Sequence, residues 1–338
     1  MNDISKVRLI RRKAFQDKSH LTIADCVDQN LIDDIRIASA NASSFCFEIL
    51  DGNKFDTTLI GMIPSIEYLS ITKGTDIESI NLQGLASMKR LLNFELDLGP
   101  KKPLACLDLS PLGGHERILS INLACLIKKL KLDGLGACPK LEAFSISSFV
   151  SGVLDLSQLS GASMLRSIFI GDLGREVEEK QKIRIVLPKN THLRSLQISN
   201  PVNSFVTPDV DFSFCQSTKV MDDISLTGCN LRDFDLEPLT ALERIGRIDL
   251  RQNSISRLNL TPLLEMPMLS MNNLGSQPFQ IDNTVVLQID SSRKKEIEGI
   301  LEIPDYTNED HFGDYPIEYV FGHQWLGSLL SKHSIEWI

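Results

Sequence analysis

The chain has 338 residues, 42% of them hydrophobic and 23% charged, a balance that excludes a mainly disordered protein and leaves one large or two ordinary domains open. Its formal charge of -9 lacks the excess of Lys and Arg that phosphate contacts need, so no nucleic-acid partner is expected. No apolar stretch reaches the length of a membrane span, and charges interrupt Val7, Leu9 and Ile10 where a leader would be continuously apolar, so the expected location is cytoplasmic, with no membrane partner.

In chain order, Lys6, Arg8, Arg11, Arg12, Lys13 and Lys18 crowd the N-terminus, opposed within that stretch by Asp17 alone. They read as the solvated face of a first capping segment, with an electrostatic docking arm as the alternative. An apolar-x-apolar strand kernel then recurs at Leu21-Thr22-Ile23, Phe45-Cys46-Phe47, Leu69-Ser70-Ile71, Phe94-Glu95-Leu96, Ile121-Asn122-Leu123 and Phe144-Ser145-Ile146. It continues at Ile168-Phe169-Ile170, Leu196-Gln197-Ile198, Ile224-Ser225-Leu226, Ile248-Asp249-Leu250 and Leu269-Ser270-Met271. From Leu69 onward a further apolar residue stands three positions before each kernel, as Ile66, Leu91 and Ile118 do. Self-similarity at about 25 residues marks a stack of coils rather than a globular core.

A second alternating signature lies between kernels: Ile80-Asn81-Leu82, Leu107-Asp108-Leu109, Leu130-Lys131-Leu132, Leu154-Asp155-Leu156, Phe234-Asp235-Leu236 and Leu258-Asn259-Leu260. It predicts a second short strand, and Ser110-Pro111 and Thr261-Pro262 behind it read as an N-cap with Pro at the first helical position. From Gln83, Ser110, Asp133, Ser157, Ser213 and Glu237 to the following kernel the separation is 11 residues each time, so that half of the coil is rigid. The reverse connection varies in length, which gathers insertions at one edge, foremost the loops 171–182 and 199–209.

With these residues in view the sequence resembles a leucine-rich-repeat protein, of the microbial kind with coils like Leu107-Asp108-Leu109-Ser110-Pro111-Leu112, over about residues 18 to 290. The resemblance implies a β-dominated α/β solenoid: a parallel concave sheet of about eleven strands, about 4.8 Å apart, with short convex strands and helical turns. A flat β-helix is the alternative architecture. It further implies that Asn253, Cys229 and Cys26 hold neighbouring loop backbone. The expected organisation is an N-terminal cap over residues 1–17, the solenoid over 18–290 and a C-terminal cap over 291–338. That last segment holds Tyr306, Phe312, Tyr315, Tyr319, Phe321, Trp325 and Trp337, and Phe321 to Leu330 reads as a short covering helix, with an independent aromatic interaction module as the alternative.

Chemistry is hard to find. The seven cysteines are odd in number and form no CxxC pair, so neither a disulfide framework nor a zinc site is expected. No GxxxxGK[ST], GxSxG or HExxH occurs, and no enzyme activity, cofactor or metal is expected. Glu309-Asp310-His311 with Asp314 reads as a solvated loop, and Asn81, Asp108, Asp155, Asp211, Asp235 and Asn259 as outward polar positions beside a cap rather than a calcium ladder. Partner contacts are expected on the concave sheet: the aromatics Tyr68 and Phe169, and the charged group Asp223, Arg247, Asp249 and Arg251, predicted to stand exposed on adjacent strands. The first reading is a non-catalytic scaffold for another protein. The second is a regulator of a partner enzyme, as leucine-rich-repeat proteins that activate GTPases are, with Arg247 or Arg251 supplied to the partner's site. A glycan-binding surface protein is a third reading, disfavoured by the N-terminal sequence.

Overall fold

A computed structural model describes residues 10–12, 20–23, 44–49, 54–63, 65–73, 77–174, 181–201, 205–264, 279–301 and 326–338. Its main feature is one sheet of twelve strands, each paired with its neighbours in chain order. We number them β1 (Ile10–Arg12), β2 (His20–Ile23), β3 (Ser44–Ile49), β4 (Tyr68–Lys73), β5 (Asn93–Leu104) and β6 (Ser120–Ile127). The sheet continues with β7 (Ala143–Phe149), β8 (Ser167–Gly171), β9 (Ser195–Ser199), β10 (Asp223–Thr227), β11 (Ile248–Asp249) and β12 (Phe279–Gln280). β1 is antiparallel to β2, and every later pairing is parallel, so eleven strands form the stacked sheet.

The register follows the kernels. Ser145 of β7 sits beside Asn122 and Phe169, and Gln197 beside Phe169 and Ser225, so alternate residues of every strand fall into common rows. Leu69, Phe94, Ile121, Phe144, Ile168, Leu196, Ile224 and Ile248 are all buried, as are Leu82, Leu132, Leu156, Leu236 and Leu260 from the opposite side of the coil. These residues belong to one continuous core. The coil therefore turns the period-2 alternation of two short strands into two inward rows that meet in the middle.

Two corners lock successive coils together. Before the kernels from Leu69 to Leu196 a single carbonyl accepts two backbone N–H groups from the next coil, as Glu67 O does from Leu92 and Asn93, Leu119 O from Glu142 and Ala143, and Arg166 O from Arg194 and Ser195, at 2.7 to 3.1 Å. On the convex side a short 3-10 turn follows the second strand, and its cap differs from expectation. The backbone N–H two residues on bonds not to a Ser or Thr but to an Asx side chain: Gln83 N to Asn81, Ser110 N to Asp108, Ser157 N to Asp155, Ser213 N to Asp211, Glu237 N to Asp235 and Thr261 N to Asn259, all at 2.9 to 3.0 Å. The Asx turn satisfies donors that the 3-10 turn leaves over. Lys131 breaks the series, and there Gly134 makes the turn with φ of 79°. The turns pack closely enough that a Cβ on Gly84 would lie 1.9 Å from the carbonyl oxygen of Thr57.

Three features depart from the sequence reading. Convex strands form at Gln181–Val186 and Val206–Val210, which the second signature does not mark, and Phe234 to Leu236 is not a strand although Leu236 is buried. The strand beside β11 is Phe279–Gln280 rather than Leu269-Ser270-Met271, which lies outside the described residues. At the C-terminus, Ile335–Trp337 pairs in parallel with Val286–Ile289, a helix spans Lys294–Leu301, and residues 326–330 are helical with Leu326, Leu329 and Leu330 buried. Also outside the described residues are Cys26, the N-terminal basic side chains, Phe321, the group Glu309 to Asp314, and the loop portions 175–180 and 202–204.

Candidate functional site

The concave face presents three rows. The middle row runs Cys46, Ser70, Glu95, Asn122, Ser145, Phe169, Gln197, Ser225, Asp249 and Gln280. One flanking row runs Tyr68, Asn93, Ser120, Ala143, Ser167, Ser195 and Asp223, and the other Thr72, Asp97, Ala124, Ser147, Gly171, Ser199 and Thr227. Most members are small, because long side chains on neighbouring strands only about 4.8 Å apart would crowd one another on a concave surface.

The charged group breaks that rule at the C-terminal end. Arg247 and Arg251 flank the short strand β11, and both reach Asp249 on it. Asp249 accepts Arg247 Nη2 at 2.7 Å, Arg251 Nη2 at 2.7 Å, Arg251 Nε at 3.0 Å and the Arg251 backbone N–H at 3.1 Å. Gln280 on β12 accepts a second bond from Arg247 Nη2 at 3.2 Å. Asp223 of β10 faces Arg247 with Oδ1 3.9 Å from Nε, and its Oδ2 accepts Gln197 Nε2 at 3.0 Å. The four predicted residues thus form one network that, with Gln197 and Gln280, reaches from β9 to β12.

That network is not the exposed cluster expected from the sequence. Asp249 is 1% exposed, whereas the side chains of Arg247 and Arg251 are 34% and 50% exposed. Burial alone would raise the Asp249 pKa; the hydrogen bonds from Arg251 and the two guanidinium charges outweigh it and hold the group below its ordinary value, fully ionised at neutral pH. For Asp223 burial is the larger influence and its pKa is raised, the Arg247 charge and the Gln197 hydrogen bond opposing the shift. The arrangement is a buried carboxylate that holds two arginines with their outer faces in solvent, the geometry suited to a planar guanidinium.

Tyr68 and Phe169 stand apart from it. Tyr68 on β4 donates its hydroxyl to Glu95 on β5, and burial, with Glu95 next, raises its pKa. Phe169 on β8 is half-buried, its ring edge 2.8 Å from where a Cβ on Gly171 would lie, so the ring covers that glycine instead of projecting freely. Seven strand steps separate Tyr68 from the arginines, about 34 Å at the spacing of a sheet. Gln280 is a member of the network that sequence reasoning missed. Its signal was present: Phe279-Gln280-Ile281-Asp282-Asn283 repeats the pattern of Leu196-Gln197-Ile198-Ser199-Asn200.

The loops behind the site are fastened by buried and half-buried side chains. Asn253 Nδ2 donates to Leu226 O and Leu250 O at 2.7 Å, and its Oδ1 accepts Leu231 N at 3.2 Å. Cys229 Sγ donates to Ile198 O at 3.5 Å. Asn200, not singled out in the sequence, accepts Leu173 N at 2.9 Å and donates to Val206 O at 3.3 Å, tying the two long loops together. It escaped notice because it stands four residues after Leu196, whereas Asn253 stands five after Ile248. Among the described residues no group of three or more His, Cys, Asp or Glu is placed to hold a metal ion, and no helix is long and apolar enough to cross a membrane.

No protein-family model matches the chain, and no curated protein matches it. Solved structures do. The leucine-rich repeat domain of APL1B aligns with 84% of this chain and 75% of its own length, at 11% identity and a TM-score of 0.45. The LRIM1/APL1C complex covers 86% and 65% at 12% identity and 0.38, and an internalin from Listeria monocytogenes 76% and 91% at 14% and 0.28. Identities and scores this low leave the kernel register and the stacked parallel sheet as the ground for reading each coil as a leucine-rich repeat.

Proposed function

We propose that this leucine-rich-repeat solenoid is a non-catalytic binding protein that holds a folded partner protein against the C-terminal half of its concave sheet. The observation that carries the reading is the pair of arginines preset by a buried carboxylate, on a face lined mostly by small residues. An arginine loses rotamer freedom when it anchors an interface, and Asp249 meets that cost before the partner arrives. Arg247 and Arg251 are the anchors, Asp249 and Asp223 position them, and Phe169 and Tyr68 extend the surface toward the N-terminal coils. No cofactor, metal, nucleic acid or membrane enters this reading. A reducing, cytoplasmic setting suits thiols that work as donors, as Cys138 does toward Leu112 O at 3.2 Å. The GTPase-regulator alternative requires a guanidinium to leave Asp249 for the partner's site, and the hydrogen bonds on Asp249 count against it.

The test places a photo-crosslinking residue at Ser225, beside Asp249 on the concave sheet, and another at Val153 on the convex side. The expected result is one protein crosslinked from Ser225 in the native cell and not from Val153, with the crosslink lost in Arg251→Gln. Equal crosslinking from both faces would sink the proposal. A nucleotide-hydrolysis assay on the captured partner separates the two readings: acceleration that depends on Arg247 or Arg251 favours the regulator.

A further inference from the structure

Where the chain returns from the convex turn to the concave sheet, a buried side chain of one coil donates to a carbonyl of the coil before. Asn190 Nδ2 donates to Ala162 O at 2.6 Å, Thr218 Oγ1 to Asn190 O at 2.7 Å, Cys138 Sγ to Leu112 O at 3.2 Å, and His115 Nε2 to Met88 O at 2.7 Å. All four residues are buried. A carbonyl can only accept, so the His115 proton resides on Nε2 and Nδ1 is a bare acceptor; Nδ1 is buried and has no hydrogen-bond partner. His115 is the one donor among these four whose ordinary pKa lies near neutrality.

The surroundings disfavour a second proton. Burial is the largest influence and holds His115 below its ordinary value of 6.5, and Lys89 of the preceding coil and Arg117 push the same way. Glu116 and the bond to Met88 O oppose them. The Cys138 thiol of the following coil, itself raised by burial, stays neutral.

We propose that this rung is an acid-sensitive seam: protonation of His115 loosens the contact of its coil with the preceding one while the coils beyond keep their packing. In the opened coil His115 takes up a proton near 6.5, whereas in the closed coil it does so only at lower pH. Between those two values the open form binds more protons, so opening becomes easier as pH falls and levels off below the closed-state value. Each coil touches only its neighbours, so the opening stays local.

Hydrogen exchange on the full chain at pH 7.5 and pH 5, corrected for intrinsic rates, tests this. Amides of residues 88–93 and 112–121 are expected to speed up about tenfold for each pH unit between 6.5 and the closed-state value, those of 193–199 to hold. In His115→Gln, whose side-chain amide still donates to Met88 O but does not titrate, the pH effect is expected to vanish. A nuclear magnetic resonance titration of the imidazole in the unaltered protein needs no variant and is expected to place its midpoint below 6.5. A midpoint at or above 6.5, unchanged exchange at the seam, or equal acceleration along the whole chain overturns the proposal.

Discussion

Asp249 stands in a row where a partner-facing side chain is expected, yet it is nearly fully covered by the arginines that flank it. Removing one partner from a buried ion network leaves an uncompensated charge, which costs about 3–5 kcal/mol. Reversing both Arg247 and Arg251 to Glu is therefore expected to lower the melting temperature sharply, and Arg251→Gln much less, since Arg247 remains on Asp249. Thermal melts of the two variants check it; equal melting of the double reversal and the parent would show that Asp249 is solvated after all. Asn253 offers a second case. Its replacement by Ala strands the Leu231 N–H and three carbonyl groups, for an expected loss of about 1–3 kcal/mol in urea unfolding. Leu156→Ala removes a fully buried side chain and is expected to cost about 2–5 kcal/mol. The kernels made these inward residues legible, because alternation fixes which side of a strand faces the core. Whether Asp249 is covered was not legible, since that depends on how the Arg247 and Arg251 side chains fold onto it.

At the level of the element, the recurring Asp or Asn of the second signature is a turn-maker whose work a Ser was expected to do. Asp155 Oδ1 accepts the Ser157 backbone N–H at 2.9 Å, while the Asp155 side chain faces solvent. Asp155→Ala is expected to cost about 1 kcal/mol, as loss of a helix cap does, and Ser157→Ala close to nothing. Urea midpoints for the pair check the order, and a larger loss at Ser157 would return the cap to the serine. Gly84→Ala is expected to be worse than either, since its Cβ would collide with the Thr57 carbonyl. The strands the sequence did not reveal share a cause. Gln181–Val186 and Val206–Val210 each lie behind a long insertion, and the second carries Pro208, which cannot donate to a ladder, although Ser213 behind it keeps the 11-residue separation to Ile224. The strand that pairs with β11 was not read from the repeat, because Phe279 lies 31 residues after Ile248, beyond the usual distance between kernels.

The whole molecule is a quasi-one-dimensional stack in which stability is a sum of coil terms and neighbour terms. Among the described residues, Ile335–Trp337 forms the edge strand of the last convex sheet. Leu287 N donates to Ser334 O and Ile338 N to Ile289 O, Gln288 Nε2 donates to Glu336 at 2.9 Å, and Lys294 Nζ lies 5.8 Å from the Trp337 ring centre. Leu287 and Ile289 are fully buried behind it. Truncation after Lys332 therefore removes the parallel partner of Val286–Ile289 and the ring beside Lys294 at the start of the helix Lys294–Leu301. In a stack, such damage spreads only as far as neighbour terms carry it. The truncated chain is expected to show fast hydrogen exchange over residues 279–301, an intermediate rise around Ile248 to Leu260, and unaltered protection from β5 to β8. The arginine network lies within the affected stretch, so crosslinking from Ser225 is expected to fall while the N-terminal coils keep their fold. A uniform rise in exchange from one end to the other would mean that the coils melt as a single unit, and the local character claimed for the acid-sensitive rung at His115 would fall with it.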